Sequence, residues 1–513
     1  MKKLILPLSF LVLMLTYSCK KVSEIGIGEP TQTSTTTANE WDSNPYKVNV
    51  VYFVPTDLDT LANYKKRLSI IMEDIQEFYA VNMAREGYGR LSFGLDRPNG
   101  KLNIIVVRGT QPKAYYPAAQ GGRIVQEIEA YYQLHPTEKK SLHNIIFTPE
   151  YGPGISQAYY GSGTNCLVID YPALGSTLLR GGGEAHELGH ALNLPHNGET
   201  KSTKATLGTA LMGNGVYTYD GKPTFLSAAD CAILSRCQVL STTTRSDWYT
   251  PQTVSFNSAK AITTNNIFSV SGKFESSMPV VKVIAYHDIK PYGVNLDYDA
   301  LTFTGSIVGI DSFKVESPLN DFFNTTDTTQ LRLKFVFANG TTIDKNVVYT
   351  FAANQPVVNN LFPSPIISGN NYKLFTFLNN TSVIDVAGGN TADGTRTLLW
   401  NSQVPAPNNQ VWKVTALTDG YYKLEPLHAL TKALEVAGGS SANGAQIQIG
   451  TYAGTNSQKW KIKPELGGGY ELAPAVAPNS RIDVQNTNTA NGATIQLFQS
   501  NGNNAQKWRF AQQ

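Results

Sequence analysis

The sequence predicts a multidomain chain in which a mixed α/β domain precedes two all-β domains. At 513 residues the chain is too long for a single domain. Before about residue 250, short apolar segments typical of strands alternate with segments whose apolar residues have helical spacing. After it, apolar residues mostly recur at every second position, as in strands. A pattern of Gln, any residue and Trp then recurs every 48 residues. These observations predict an α/β domain over 41–250, a β-sandwich over 251–358 and a threefold repeated β domain over 366–513.

Composition is typical of an exported, β-rich protein. Charged residues make up only 16% of the chain, while Gly and Tyr are abundant at 43 and 26 residues. The formal net charge is +3, which is close to balance. Because nucleic-acid binding usually requires a concentrated basic surface, we expect no nucleic-acid partner.

The N-terminus has the layout of a secretory signal. Two lysines precede an apolar run over 4–15, which is too short to span a bilayer. The stretch LTYSC followed by KK resembles a bacterial lipobox. We expect a signal peptide over 1–18, lipidation of Cys19 and a flexible Thr-rich tether over 19–40; an ordinary signal peptide cut nearby is the alternative. The resemblance implies a bacterial envelope lipoprotein at the outer membrane or cell surface, or a secreted protein.

Three cysteines follow Cys19, at Cys166, Cys231 and Cys237. An exported chain can form disulfides, but an odd number allows at most one pair. The sequence leaves the pairing open.

The first domain contains the elements of an α/β fold. YKVNVVYFV, over 46–54, reads as a buried strand, and residues 62–88 have apolar positions at helical spacing. Three further short strands are expected over 101–109, 144–150 and 165–172.

The next segment, HELGHALNLPH, contains three of the chain's 7 histidines. On a helix, His186 and His190 lie on one face about 6 Å apart along the axis. Each can therefore direct one imidazole nitrogen at the same ion, with Glu187 beside it. Zn²⁺ takes neutral nitrogen ligands and prefers four-coordination, so a third protein ligand and one open position are expected.

The third ligand requires a break in the helix. His196 lies six residues after His190, and a continuous helix would carry it away from the ion. Asn193 tolerates a left-handed conformation and Pro195 cannot continue a helix, so the chain is expected to turn here. The glycines at 181–183 predict either a late helix start or close packing against a neighbouring strand.

This pattern resembles the signature of the metzincin zinc endopeptidases, HExxHxxGxxH, and looks most like the matrixin branch with Asn193 in place of Gly. Met212, in TALMGNG, falls where these proteins have a structural methionine turn, and FLSAADCAIL resembles the helix opening that follows it. The resemblance implies a metzincin-like fold with one catalytic Zn²⁺ and zinc-activated water that hydrolyses peptide bonds. It implies zinc ligands at His186, His190 and His196, and Glu187 as the general base.

The same resemblance raises possibilities around this centre. Some metzincins have a tyrosine ligand two residues after the methionine, where this chain has Asn214, so we assign none. Tyr217 and Tyr219 either line the pocket or are ordinary loop and core aromatics. Calcium is possible in matrixin-like folds, but no loop here specifies a site.

Residues 251–358 contain about seven short strands, which suggests an immunoglobulin-like sandwich. One hairpin is expected over 330–351, with Asn339 and Gly340 at its turn. We expect this domain to be a spacer, and His287 in it to be structural or exposed rather than a ligand.

The repeated domain is similar to the ricin-B lectin family, which adopts a β-trefoil. Each unit of that family can bind a sugar through an acidic residue, an aromatic ring and an amide. In the first unit the matching residues are Asp385, Trp400 and Asn409. In the third unit they are Asp483, Gln496, Phe498 and Asn504.

The second unit has Glu435 and Gln448, but Gly450 stands where the ring is expected, so this site is predicted to be impaired. The remaining residues of the repeated pattern are expected to be structural. They are Gln410, Gln458 and Gln506, with Trp412, Trp460 and Trp508.

Taken together, the sequence predicts an exported zinc-dependent endopeptidase that a lectin trefoil directs to glycosylated substrates or surfaces. Its expected partners are protein or glycoprotein substrates, carbohydrate, and a membrane reached through the N-terminal lipid. The alternative is a carbohydrate-binding surface lipoprotein with a vestigial peptidase domain. The intact Glu187 argues against that alternative, because a degenerate site should lose its base first.

Overall fold

The computed structural model of the chain describes residues 40–117, 121–149, 160–175, 181–219, 221–289, 297–358 and 361–513. The expected signal peptide, Cys19 and all but the last residue of the expected tether lie outside the described residues. Of the helices in the described part of the chain, none combines the length and the apolar character that a bilayer span requires.

The N-terminal domain is built on a mixed six-stranded sheet. Its strands are β1 (Lys47–Val54), β2 (Gly94–Leu95), β3 (Ile105–Arg108), β4 (Asn144–Pro149), β5 (Tyr160–Ser162) and β6 (Asn165–Asp170), followed by the small pair β7 (Thr209–Ala210) and β8 (Thr224–Phe225). Its helices are α1 (Tyr64–Arg85), α2 (Gly121–Leu134), α3 (Gly182–Ala191), α4 (Lys201–Leu207) and α5 (Ala228–Leu234). The strand order is β2-β1-β4-β6-β5, and β3 also pairs with β1. All pairs in the sheet are parallel except that of β5 with β6.

The central strand β1 is buried on both faces, as its continuous apolar run predicts. Val50 and Tyr52 lie in the same core as residues of α1 and α3. Val51 and Phe53 point to the opposite face and pack with α2. The sheet therefore lies between two helical layers, and α3, which carries the HELGH sequence, is held on one of them. The strands and the helix expected from the sequence are present, whereas α2 and β5 were not predicted.

The second domain consists of two antiparallel four-stranded sheets that share one core. The strands are β9 (Val254–Thr264), β10 (Ile267–Ser276), β11 (Val280–Ile289), β12 (Leu301–Thr304), β13 (Ser306–Val308), β14 (Ser312–Pro318), β15 (Thr329–Phe337) and β16 (Thr342–Tyr349), and the hairpin β17 (Phe351–Ala352) and β18 (Gln355–Pro356) follows them. The sheet orders are β13-β14-β10-β9 and β12-β11-β15-β16. This is the expected sandwich; an immunoglobulin-like relationship stays a prediction.

The expected hairpin is formed by β15 and β16, but its connection is not a two-residue turn. Val336 pairs with Thr342, and only Gly340 has a left-handed conformation, with φ 83°. The Asn339 side chain instead donates hydrogen bonds to the carbonyl oxygens of Asp247 and Thr250. The loop therefore ties the sandwich to the segment that enters it.

The sandwich packs tightly against both of its neighbours. Tyr286 and Ala300 belong to the hydrophobic core of the N-terminal domain. On the other side, Leu466 of the third domain is buried in the core of the sandwich. The Lys345 ammonium lies 3.0 Å from the carboxylate of Glu465, which is buried. The domain predicted to be a spacer thus shares packed cores with the domains that it joins.

The third domain repeats a four-stranded unit three times. The strands are β19 (Asn371–Thr376), β20 (Ser382–Val386), β21 (Thr397–Asn401) and β22 (Trp412–Ala416), then β23 (Tyr422–Pro426), β24 (Lys432–Val436), β25 (Ile447–Thr451) and β26 (Trp460–Glu465), then β27 (Gly469–Pro474), β28 (Ser480–Val484), β29 (Ala493–Gln499) and β30 (Trp508–Gln512). The three repeated tryptophans are fully buried. Each donates its indole hydrogen to a carbonyl oxygen of the second strand in its own unit, on Ile384, Leu434 and Ile482. The predicted structural role of these rings is confirmed.

Candidate active site and sugar-binding sites

Three histidine side chains converge at the C-terminal part of α3. Nε2 of His190 lies 3.1 Å from Nε2 of His186 and 2.9 Å from Nε2 of His196. His186 is almost fully buried, and the other two are partly exposed. Among the described residues, this trio is the group of His, Cys, Asp and Glu side chains arranged to hold a metal ion. The structure therefore brings together the three ligands expected from the sequence.

The protonation of these rings fits a cation. Nδ1 of His186 lies 2.7 Å from the carbonyl oxygen of Leu211, and Nδ1 of His190 lies 2.8 Å from that of Leu194. A carbonyl oxygen only accepts, so both Nδ1 atoms carry the hydrogen and both Nε2 atoms are unprotonated. Burial lowers the pKa of both imidazoles, that of His186 to about 4, which keeps them neutral. Two lone pairs only 3.1 Å apart repel each other unless a positive ion lies between them, so the donor set fits Zn²⁺.

The turn that returns His196 to the site is a regular helix cap. Asn193 has a φ of 69°, in the left-handed region. Its N–H donates to the carbonyl of His190, and the N–H of Leu194 donates to that of Gly189. These two bonds define a Schellman motif, with Asn193 in the position that usually holds glycine. The predicted break at Asn193 is present, and its geometry explains how Asn replaces Gly.

Glu187 lies beside the histidines and under the edge strand of the sheet. A Cβ placed on Gly161 of β5 would lie 2.5 Å from Cβ of His190 and 3.0 Å from Oε2 of Glu187. Glycine therefore allows the edge strand to cross directly against the face of α3 that carries Glu187 and His190. Burial raises the pKa of Glu187 to about 7, so its carboxyl group can accept and release a proton near neutral pH.

Met212 packs against α3, the helix that carries His186 and His190. It is fully buried, and its carbonyl oxygen accepts a hydrogen bond from the N–H of Asn197. The preceding carbonyl, that of Leu211, is the partner of His186. This turn therefore fixes backbone on both sides of the site. Of the two tyrosines considered earlier, Tyr219 is partly buried and donates a hydrogen bond to Asp74, whereas Tyr217 is 84% exposed.

Glycine is required for different reasons at two positions where α3 begins. Gly181 is the N-cap, with φ 95°, a conformation that disfavours other residues. A Cβ on Gly182 would lie 2.9 Å from the carbonyl oxygen of Val216 and from Cβ of Tyr219. The expected close packing is therefore present, against the segment that follows Met212 rather than against a strand. The helix does not start late, because Gly182 is its first residue.

The three cysteines of the N-terminal domain are buried thiols without a disulfide. Cys166, Cys231 and Cys237 are each at most 3% exposed. Burial raises the pKa of each thiol, so they are protonated and unreactive near neutral pH.

In the third domain, the first and third units hold a buried carboxylate near an aromatic ring. Asp385 accepts hydrogen bonds of 3.0 Å from both Asn409 and Gln410. Asp483 accepts one of 2.9 Å from Gln496, and Gln506 also bonds to it. Burial raises the pKa of both carboxyl groups. Gln410 and Gln506 therefore orient the carboxylates, which agrees with their predicted structural role.

The strand register shows which position holds the ring in each unit. In each unit we consider the residue that lies two positions before the acid. Its partner on the neighbouring strand is Trp400 in the first unit, Gly450 in the second and Phe498 in the third. Trp400 and Phe498 are both partly exposed, as a sugar-contacting ring requires. Asn504 is exposed, and Ala505 stands at the position of Asn409, so the third unit lacks that amide.

The second unit differs by having glycine at the ring position. A Cβ on Gly450 would lie 2.4 Å from Oε1 of Glu435, so the longer acid occupies the space beside the missing ring. Gln448 and Gln458 each donate a 2.8 Å hydrogen bond to this carboxylate. A cavity of about 480 Å³ lies here, lined by Glu435 and Gln458. The unit thus keeps Glu435 and Gln448 and lacks the ring, as expected from its sequence.

One residue at the histidine site has no local signature in the sequence. Tyr298, in the connection between β11 and β12, stacks on His196 with ring centroids 3.8 Å apart and an interplanar angle of 27°. It belongs to the sandwich, about a hundred residues after the histidines, and only the docking of the two domains brings it there.

Comparison with known proteins found one matching family model and several similar solved structures. Residues 363–450 match the ricin-type β-trefoil lectin domain-like family. No curated protein sequence matches the chain. The structure of catalytically inactive OgpA from Akkermansia muciniphila, in complex with an O-glycopeptide substrate, is 33% identical, with a TM-score of 0.58, and covers 62% of this chain and 96% of OgpA. Wild-type OgpA in another crystal form is 32% identical, with a TM-score of 0.57, and covers 65% of this chain and 100% of OgpA. At this identity over nearly all of OgpA, the chain belongs to the OgpA family.

Proposed function

We propose that this protein is a zinc-dependent endopeptidase that cleaves glycosylated proteins or peptides and carries a sugar-binding trefoil. The proposal depends on the convergence of three histidine side chains beside a buried carboxyl group. Nε2 of His190 lies within 3.1 Å of Nε2 of both His186 and His196. The Nε2 atoms of His186 and His190 are unprotonated. The family relationship to OgpA, which was crystallised in complex with an O-glycopeptide substrate, supports a glycosylated substrate.

The three imidazoles would hold the zinc ion, whose contribution when bound is to act as a Lewis acid and to lower the pKa of water. Glu187 takes the proton from the water that attacks the peptide carbonyl and passes it to the leaving amine nitrogen. The carbonyl carbon gains the water oxygen as its bond to nitrogen breaks. The raised pKa of Glu187, about 7, suits a group that must both accept and donate this proton.

The peptide would lie along the β5 edge of the sheet. β5 is the last strand of the sheet and pairs only with β6 among the described strands. Gly161 brings this strand against Glu187 and His190. An extended peptide that added to this edge would therefore be carried past the catalytic carboxyl group.

The trefoil would bind carbohydrate through its first and third units and thereby keep the peptidase near glycosylated surfaces. Its rigid attachment through Leu466 and the pair of Lys345 with Glu465 supports this arrangement, because the two activities would then have a fixed separation. We further propose that Cys19 anchors the exported protein to a membrane, as its sequence context indicates.

The test compares the wild-type chain with Glu187→Gln on an O-glycosylated peptide and on the same peptide without its glycan. Loss of the general base should lower kcat/KM by about 10²–10⁴-fold while zinc content stays unchanged. Glu77→Gln, on the exposed surface of α1, is the matched control and should keep full activity. Cleavage products are identified by mass spectrometry.

Equal rates for the wild type and Glu187→Gln would remove the peptidase proposal and leave the alternative, a carbohydrate-binding surface protein. Equal cleavage of the glycosylated and the bare peptide would keep the peptidase and remove the glycan requirement.

A further inference from the structure

The sandwich contributes an aromatic ring to the histidine site. Tyr298 stacks on His196 with centroids 3.8 Å apart, which is closer than most aromatic pairs in proteins. Its ring is also nearly parallel to that of His186, at 6° and 6.1 Å. The tyrosine therefore covers one face of the histidine trio from outside the N-terminal domain.

The loop that carries Tyr298 is fixed on both sides. Gly198 forms a parallel bridge with Leu301, and its N–H donates a 2.9 Å hydrogen bond to the carbonyl of Ala300. Asp297, on the other side of the tyrosine, accepts a 2.7 Å bond from Arg332 of β15. The ring position is therefore determined by the docking of the two domains.

Two glycines make this close contact possible. A Cβ on Gly198 would lie 3.1 Å from the carbonyl oxygen of Tyr298, and one on Gly213 would lie 3.3 Å from the same atom. Gly198 follows His196 by two residues, and Gly213 follows Met212 directly. The backbone on both sides of the site is thus shaped to receive the loop.

His196 lies in a different structural context from the other two histidines. His186 and His190 lie on α3, and a backbone carbonyl orients each ring through Nδ1. His196 lies beyond the helix cap, in a segment without regular structure. The Tyr298 ring packs on the face of this imidazole, and residues that orient ligands typically change metal affinity 10–100-fold.

We propose that Tyr298 is a positioning residue that holds His196 in the orientation required for zinc binding, so that the metal site is complete only when the sandwich is docked. This inference rests on the proposed metal site. It assigns the sandwich a role in the active centre as well as in joining two domains. The ring face, rather than the hydroxyl group, provides the contact, so phenylalanine should serve as well as tyrosine.

The experiment measures zinc affinity by competition with a chromophoric chelator, using the full chain and the variants Tyr298→Ala, Tyr298→Leu and Tyr298→Phe. Tyr298→Ala is expected to raise the zinc Kd about 10–100-fold, and Tyr298→Phe to restore the wild-type value. Tyr298→Leu keeps the bulk without a planar ring and should be weakened as well. The visible absorption of the cobalt-substituted protein should change in the Ala and Leu variants and be normal in the Phe variant.

Phe323→Ala is the matched control for domain docking. This ring comes from the same domain and lies over Lys201 and Lys204 of α4, away from the histidines. It should leave zinc affinity unchanged.

Wild-type zinc affinity in both Tyr298→Ala and Tyr298→Leu would overturn the positioning role while the metal site stands. An equal loss in Phe323→Ala would also overturn it, since domain docking alone would then explain the effect. If the wild type itself binds no zinc, the proposed function fails together with this inference. Should Tyr298→Ala not fold, the Leu variant decides between these outcomes.

Discussion

Gly189 and Met212 are in direct contact across the floor of the histidine site. A Cβ placed on residue 189 would lie 2.5 Å from Sδ of Met212 and 3.1 Å from its Cε. The methionine is fully buried, so it has little room to move. The contact explains why α3 has a glycine in its interior, where alanine would favour the helix by about 1 kcal/mol.

Gly189→Ala should therefore destabilise the protein although it improves helix propensity. Overpacking a buried contact typically costs about 1–3 kcal/mol, which exceeds the gain. In a Met212→Ala background the cost should disappear, which a double-mutant cycle of unfolding free energies measures. Gly122→Ala in α2, where an added Cβ meets no atom within 4 Å, is the control and should be stabilising. A stabilising Gly189→Ala would contradict the contact.

Substitution of Asn193 should separate conformation from side-chain chemistry at the helix cap. Asn193→Gly retains access to the left-handed φ and should fold and bind zinc. Asn193→Ala should lose about 1–2 kcal/mol, because a left-handed backbone disfavours a Cβ. Asn193→Val should be worse, since its Cβ is branched. Thermal unfolding and zinc affinity are measured for each variant, and an Asn193→Val protein as stable as the glycine variant would argue against the cap.

The histidine site could be predicted because its information is local. The spacing of His186 and His190, the left-handed residue and the later methionine all lie within one short stretch. Local steric rules are sufficient to place a helix, end it and return the chain. The missing ring of the second trefoil unit could likewise be predicted, because a fixed repeat aligns Gly450 with Trp400 and Phe498.

Residues that reach the histidine site only because distant segments pack together have no such local pattern in the sequence. Tyr298 and Gly161 approach the site from other segments, and neither position differs locally from an ordinary loop tyrosine or strand glycine. The helix α2 is a different case. Ile124, Ile128 and Tyr132 are buried at intervals of four, so this helix has a local signal in the sequence.

Removal of the carboxylates should distinguish the three trefoil units. Asp385→Ala and Asp483→Ala should each weaken binding to immobilised O-glycosylated mucin, because each removes a charged hydrogen-bond acceptor worth about 1.5–3 kcal/mol, or 10–100-fold in a single site. Trp400→Ala should act in the same direction. Glu435→Ala, in the unit without a ring, should have the smallest effect. Binding is measured by biolayer interferometry, and unchanged binding by the double variant Asp385→Ala/Asp483→Ala would exclude these sugar sites.

Acid should destabilise the sandwich through His287. The side chain is fully buried, with Nδ1 2.9 Å from the Tyr349 hydroxyl and Nε2 2.9 Å from that of Ser317. Burial lowers its pKa to about 3, whereas an unfolded chain titrates near 6.5. Between these values the unfolded state binds a proton that the folded state excludes. The free energy of unfolding should therefore fall as the pH falls below about 6.5, by about 1.4 kcal/mol per pH unit from this residue.

His287→Gln should make the unfolding free energy less dependent on pH between 6 and 4, because glutamine does not titrate and can still bond to both hydroxyl groups. His135→Gln, which changes an exposed histidine of the N-terminal domain, should keep the wild-type slope. The measurement is urea unfolding followed by circular dichroism at several pH values. His143, whose pKa burial lowers to about 4, contributes a slope of the same sign in both variants. The difference between the two variants, rather than the absolute slope, therefore isolates His287, and identical slopes would mean that its imidazole is protonated in the folded protein.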